Sequence, residues 1–184
     1  EEHRTHGFPF PDTPPRFDML EEQVEIVHGL LTEERFSFQG KHYQLDDVPF
    51  APKGVRAPHP PIVIGGSGGP RIAALVSRWA DEFNTVGPSP DQAGERFAKV
   101  RDRLDADGRA QDTLTTSVMT WCYVGETERQ AMRLIERARA RAMRVARFDD
   151  ELDELRAHCI VGSVDQAVDQ ICDILRSRGL EPEA

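Results

Sequence analysis

Two periods of apolar residues divide the chain. Phe17, Leu20, Val24, Val27 and Leu31 fall three and four apart, which predicts an amphipathic helix ending near residues 32–34. Thr13 is its expected N-cap, because Pro14 and Pro15 are tolerated in a first turn. Residues 1–15, EEHRTHGFPFPDTPP, carry no period and read as a loop. The period then drops to two. Phe36 and Phe38, followed by Tyr43 and Leu45, alternate around Gly40-Lys41 and predict a β-hairpin over about 36–46. DDVPFAPKGVRAPHPP, residues 46–61, reads as a proline-rich crossing loop.

From Ile62 onward, strand and helix patterns alternate. Ile62-Val63-Ile64 is short and β-branched, the mark of a buried strand. Ile72, Leu75 and Trp79 define a helix face, and DEFNTV (81–86) reads as a second strand. Ser89 as N-cap and Pro90 at the first helical position open a helix striped by Phe97, Val100 and Leu104. Leu114 to Val124 predicts one strand, Glu126 to about Val145 a long helix, and CIVGS (159–163) a last brief strand. Val164, Val168, Ile171 and Leu175 mark the final helix before Gly179. Such alternation predicts an α/β chain of βα units on a parallel sheet, in a single domain over 1–184. No repeat of 20–50 residues is present, which excludes a solenoid.

Composition narrows the function classes. The 184 residues are 39% hydrophobic and 30% charged, ordinary for a globular protein with one sizeable core. A net charge of -9 argues against nucleic acid, since phosphate backbones demand clustered Lys and Arg. The basic stretch Arg133 to Arg147 reads as a solvated helix face. No apolar run is long enough to span a membrane and no signal peptide opens the chain. Cys122, Cys159 and Cys172 are odd in number, widely spaced and set among apolar residues, the usage of a reducing cytoplasm.

No CxxC or HExxH is present, and no metal site is expected. His3 and His6 near Asp12 read as solvated, and His28 as a packed or surface histidine. Phe8 and Phe10 read as a plug under the first helix in preference to a pocket lining, and Trp79 and Trp121 as packing residues.

Candidate chemistry concentrates in IGGSGG. A glycine-rich turn between a strand and a helix bares backbone N–H groups, and the helix N-terminus adds partial positive charge. That combination attracts an anion, typically a phosphate. Gly69 before Pro70 fits an N-cap before an N1 proline, and Ser67 adds a hydroxyl. The Walker A pattern fails, because Pro70-Arg71 supplies no Lys followed by Ser or Thr. The dinucleotide fingerprint fails as well, since its third glycine falls on Arg71. Composition alone leaves phosphate binding and close helix–strand packing evenly matched.

The loop has company. RFDMLEEQVEIVHGLLTEERFSFQGKHYQLDD, PHPPIVIGGSGG, RIAALVSRWADEFNTV and CIVGSVDQAVDQI together resemble the luciferase-like monooxygenase superfamily, closest to its actinobacterial branch that uses coenzyme F420. The resemblance covers about Gly7 to Gly179. It implies part of a bacterial-luciferase-like (β/α)8 TIM barrel with a β-hairpin insertion, whose site lies at the carboxyl ends of the strands. Only three or four barrel-type strands are countable, and the chain opens on Glu1, so it is expected to be the second half of that barrel. A half barrel has open edges and is expected to pair with itself as a dimer, to pair with a missing half, or to aggregate.

The resemblance further implies hydride transfer to or from a small organic substrate, with coenzyme F420, or alternatively FMN, as cofactor. Gly65, Gly66, Ser67, Gly68 and Gly69 would approach the cofactor's phosphate-bearing tail, and Asn84 and Thr85 would follow as pocket residues. Acid–base residues belong to the family's earlier strands, so none is assigned. The competing expectation is a catalytically inactive fragment or degenerate homologue that acts as a binding or assembly module.

Overall fold

The computed structural model describes residues 2–87, 89–142, 156 and 158–176. The chain divides into two units, residues 1–84 with 98–116 and residues 85–97 with 117–184.

In the first unit, α1 (Glu2–Thr5) precedes α2 (Thr13–Thr32). Asp12, one residue before the expected cap, is the N-cap, because the first helical hydrogen bond closes from the Arg16 amide onto the Asp12 carbonyl. The Thr13 hydroxyl instead accepts from Arg16 Nη2 at 3.0 Å. The buried stripe of α2 also differs from the expected one. Ile26 and Gly29 are buried, whereas Val27 is 48% exposed. The helix packs on two partners, α3 and the hairpin, and the Phe36 ring occupies the space a side chain at Gly29 would need. The plug expected of Phe8 and Phe10 is absent: both are exposed, with Arg16 stacked over Phe10.

The hairpin pairs β1 (Arg35–Gln39) with β2 (Gln44–Pro49) antiparallel. β2 continues into the expected loop as far as Pro49. The register shifts between Phe36↔Val48 and Phe38↔Leu45, leaving an extra residue on β2. Asp47 takes the left-handed conformation there (φ 48°), held by Arg35 Nε at 2.6 Å and by its own amide on the Ser37 hydroxyl. Glu22 of α2 fastens the hairpin tip. Its carboxylate accepts the backbone N–H groups of Lys41, His42 and Tyr43 at 2.8–2.9 Å.

β3 (Val63–Gly65) and β4 (Glu82–Val86) pair in parallel, bridged by α3 (Pro70–Trp79), a complete βαβ unit. β5 (Thr115–Met119) follows β4 in the sheet order. Ser89 caps α4 (Pro90–Ala106) as expected, exchanging bonds with Gln92 in a capping box. Arg109 closes the other end of α3. Its guanidinium donates to the carbonyls of Val76, Ser77 and Ala80, the first of which also accepts the Ala80 amide.

In the second unit, β6 (Trp121–Gly125) and β7 (Cys159–Ser163) pair in parallel from Trp121↔Cys159 to Gly125↔Ser163. α5 (Glu128–Ala142) and α6 (Val164–Arg176) pack on them. Ala131, Ile135 and Val161 form the core, with Tyr123, Met132 and Cys159 against it. The single strand expected over 114–124 breaks at Thr120, whose hydroxyl donates to the His158 carbonyl at 2.9 Å. The last residues expected in the long helix, 143–145, lie outside the described residues, as does Gly179. Trp121 is 40% exposed, and its ring packs against Gly87, where it occupies the space a side chain would need.

Seven strands in three sheets are seen among the described residues, and they do not close into a ring. Among the described residues, no helix is long and apolar enough to cross a membrane.

Candidate functional site

The glycine loop begins where β3 runs out. Ile64 is buried beneath the sheet, and Val63 and Gly65 face the opposite, open side. Gly65 is in register with Asn84, and the Gly66 amide donates to the Asn84 carbonyl at 3.0 Å. The chain then turns through Ser67 and Gly68 to Gly69, which caps α3 with Pro70 in the first turn. The first intrahelical bond is Ala73 to the Gly69 carbonyl at 2.9 Å. The Arg71 and Ile72 amides therefore precede the hydrogen-bond ladder and point out of the helix start.

The four glycines have different reasons. A Cβ at Gly66 would come within 3.1 Å of the Ile72 side chain, so glycine there serves helix–strand packing. Gly68 has φ 71°, a left-handed conformation that glycine adopts without strain. Gly69 is different, since a Cβ there would meet nothing within 4 Å. At Gly65 it would meet only the Asn84 carbonyl at an ordinary 3.9 Å. Neither position needs glycine for the fold. At Gly69, the cap of α3, the missing Cβ would stand in open space.

Arg71, in the first turn of α3, is the one side-chain cation next to these amides in sequence, and it is already occupied. Nε binds Glu21 at 2.6 Å, Nη2 binds Asp18 at 2.7 Å, and the guanidinium lies over the Phe17 ring. Those carboxylates push the Arg71 pKa up. In return, the hydrogen bond from Arg71, helped by Lys41, holds Asp18 below the usual carboxylate range. At Glu22 burial pulls upward as the largest single influence, yet the three backbone N–H bonds together bring its carboxyl down. These groups form a staple between α2 and its neighbours. Positive potential at the loop is left to the backbone.

The segment after α3 completes the frame. Asp81 accepts the Ile62 amide at 2.7 Å, and its own amide and that of Glu82 return to the Ile62 carbonyl. Burial alternates along β4, placing Phe83 and Thr85 on one face and Glu82 and Asn84 on the other. Of the expected pocket pair, Asn84 therefore shares an arrangement with Gly65 and Gly66. Thr85 belongs to the second unit, is fully buried, and accepts Arg96 Nη1 on its hydroxyl at 2.6 Å.

His28 packs against the rings of Trp79 and His59, with centroids 4.6 and 5.3 Å apart. Cys122, Cys159 and Cys172 are free thiols, and burial pushes the Cys159 pKa up. Among the described residues, no group of three or more His, Cys, Asp or Glu is arranged to hold a metal ion.

Comparison with known proteins decides the family. The family model described as luciferase-like monooxygenase matches residues 1–181. The chain belongs to the luciferase-like monooxygenase family. Among curated relatives, an FMNH(2)-dependent dimethylsulfone monooxygenase of Pseudomonas putida is 30% identical over 77% of this chain and 38% of its own length. An F420-dependent glucose-6-phosphate dehydrogenase of Nakamurella multipartita is 35% identical over 60% of this chain and 32% of its own. The luciferase-like fold is shared with solved structures of low identity. An F420-dependent secondary alcohol dehydrogenase matches with a TM-score of 0.76 at 17% identity, covering 94% of this chain and 56% of that one. The coenzyme F420-dependent tetrahydromethanopterin reductase of Methanopyrus kandleri matches at 0.74 and 17%, covering 97% and 62%. The luciferase-like chain described here thus matches less than two fifths of the length of either curated relative.

Proposed function

We propose that this chain forms part of an oxidoreductase that uses coenzyme F420, with FMN the alternative, for hydride transfer to or from a small organic substrate. The family supports an oxidoreductase or monooxygenase, and its members named above include users of both cofactors. The observation that carries the reading is the pair Gly65 and Gly69, glycines that no tight packing contact explains, at either end of the loop that leads into the unbonded amides of a helix start. A phosphate-bearing ligand fits there, because it needs close approach to the backbone and finds the α3 dipole behind it.

Within this reading, the backbone from Gly65 to Gly69 holds the phosphate, Ser67 offers its hydroxyl, and Asn84 fixes the loop through its carbonyl. The bound cofactor would supply the hydride chemistry, and the protein would supply binding and orientation. Thr85 acts one step removed, holding Arg96 on β4. We read the parallel βα units as belonging to a (β/α)8 barrel, in which ligands meet the carboxyl ends of strands.

The test is a fluorescence titration of the protein with coenzyme F420 and with FMN. Saturable binding of one of them, weakened at least tenfold in a Gly69→Val variant, is the expected result. Binding of neither overturns the proposal, and the tighter of the two names the cofactor.

A further inference from the structure

The carboxyl end of β6 opens onto a groove. Val124 of that strand, Arg133, Leu134 and Arg137 of α5, and Val164 at the start of α6 line it. Glu126, between the strand and α5, lines it too. Its volume is about 570 Å³, within the range of small-molecule sites. Leu134 is 41% exposed and Val164 59%, so apolar surface faces water there. All of these residues belong to the second unit.

Arg133 and Arg137 bring two cations to this groove without a carboxylate to match. They are exposed and four residues apart, the spacing at which helical side chains are neighbours. Among the described residues neither enters an ion pair. The acids close by do not neutralise them. Glu128 pairs with Arg156 at 3.2 Å, and Glu126 and Glu136 enter no ion pair with either arginine. Elsewhere Arg35, Arg71 and Arg103 hold carboxylates at 2.6–2.7 Å. Five arginines against two glutamates make α5 basic, in a chain whose net charge is -9.

Paired cations beside apolar surface call for a ligand with both characters. A small anion would leave Leu134 and Val164 wet, and a neutral hydrocarbon would leave both guanidinium groups without a counter-charge. A carboxylate matches the parallel N–H donors of an arginine, and an acyl chain matches the apolar wall. We propose that this groove binds a small amphiphilic carboxylate, its head between Arg133 and Arg137 and its chain along Leu134, Val164 and Val124. Glu126 restricts the ligand to one anionic end, because it would repel a second carboxylate. The proposal is independent of the cofactor reading, whose glycine loop lies in the first unit.

Calorimetric titration of the 184-residue chain with sodium octanoate tests it, and saturable binding is expected. Acetate and octan-1-ol each lack one half of the ligand and should bind at least about tenfold more weakly. R133A/R137A should weaken octanoate by about tenfold or more, the scale of charge-assisted bonds. In the parent, the amide resonances of Leu134 and Val164 should shift as octanoate is added. Gly69→Val, which alters the cofactor loop, should leave octanoate affinity unchanged. The absence of saturable octanoate binding overturns the proposal. Equal affinity for octanoate and either truncated ligand overturns it as well. So does binding that R133A/R137A leaves unaltered, that Gly69→Val abolishes, or that shifts resonances only outside the groove, since each places octanoate elsewhere.

Discussion

The Gly66 amide donates to the Asn84 carbonyl at 3.0 Å, joining the glycine loop to the strand that follows α3. The loop is therefore fixed at its first half by the sheet and at its second half by the cap of α3. The proposed ligand would approach the side between Gly65 and Gly69.

Substitutions at the four glycines should separate into two classes. Gly65→Val meets only an ordinary contact and Gly69→Val open space, so both should keep stability within about 1 kcal/mol, the scale of cap and propensity changes. Both should weaken cofactor binding at least tenfold. Gly66→Val presses on Ile72 and should cost about 1–3 kcal/mol, the scale of overpacking. Thermal melts paired with titrations distinguish the classes.

Acid should undo the α2 staple. Asp18 is held below its ordinary value of 3.8 by the hydrogen bond from Arg71 and then by Lys41. A carboxyl lowered in the folded state stabilises above its unfolded pKa, and that contribution vanishes as pH falls through the folded value. The parent should lose stability more steeply than Asp18→Asn below about pH 4, near the carboxylate range. Coincident acid-unfolding curves would show that the staple contributes nothing.

Glu22→Gln should loosen the hairpin tip without unfolding the unit. The amides of Lys41, His42 and Tyr43 share one carboxylate, and an amide side chain offers them a single, uncharged acceptor. Hydrogen exchange at those three residues should quicken, while Val76 in α3 stays protected. Uniform exchange across both would contradict a local role.

Removing the Arg109 guanidinium should weaken the C-terminal end of α3, where the Ala80 amide would still hold the Val76 carbonyl. Three carbonyls of that helix end lose a charged donor, and Arg109→Ala should cost about 1–3 kcal/mol at the going rate for such bonds. Arg109→Lys should recover little, because one ammonium cannot reproduce the fork. Chemical denaturation measures both.

Much of the fold was legible because local signals and tertiary contacts agree. Ser89 with Pro90, Gly69 with Pro70, and β7 with its Ile160 and Val161 were read correctly from cap chemistry and branching alone. Errors arose where a distant partner chose the outcome. Val27 satisfies the helical period, yet the Phe36 ring lodged at Gly29 turns α2 so that Ile26 is buried. Thr120 sits inside an uninterrupted β-prone run, and only the bond to His158 shows why it breaks. At the candidate site, glycine composition could not separate packing from binding, because the two uses differ only in what a missing Cβ would touch. Arg71 was noticed solely as a misfit to a nucleotide motif. Its engagement with Asp18 and Glu21 has no sequence signal beyond carboxylates fifty residues away.

That engagement has a consequence for the chain's tolerance to change. With the neighbouring cation committed elsewhere, the candidate grip consists of main chain, which every amino acid possesses. Exchanging the chemistry of a side chain in the loop alters it little, whereas adding volume obstructs it. Selection on this segment would register size in preference to polarity, and the loop would record its ligand as a pattern of missing atoms.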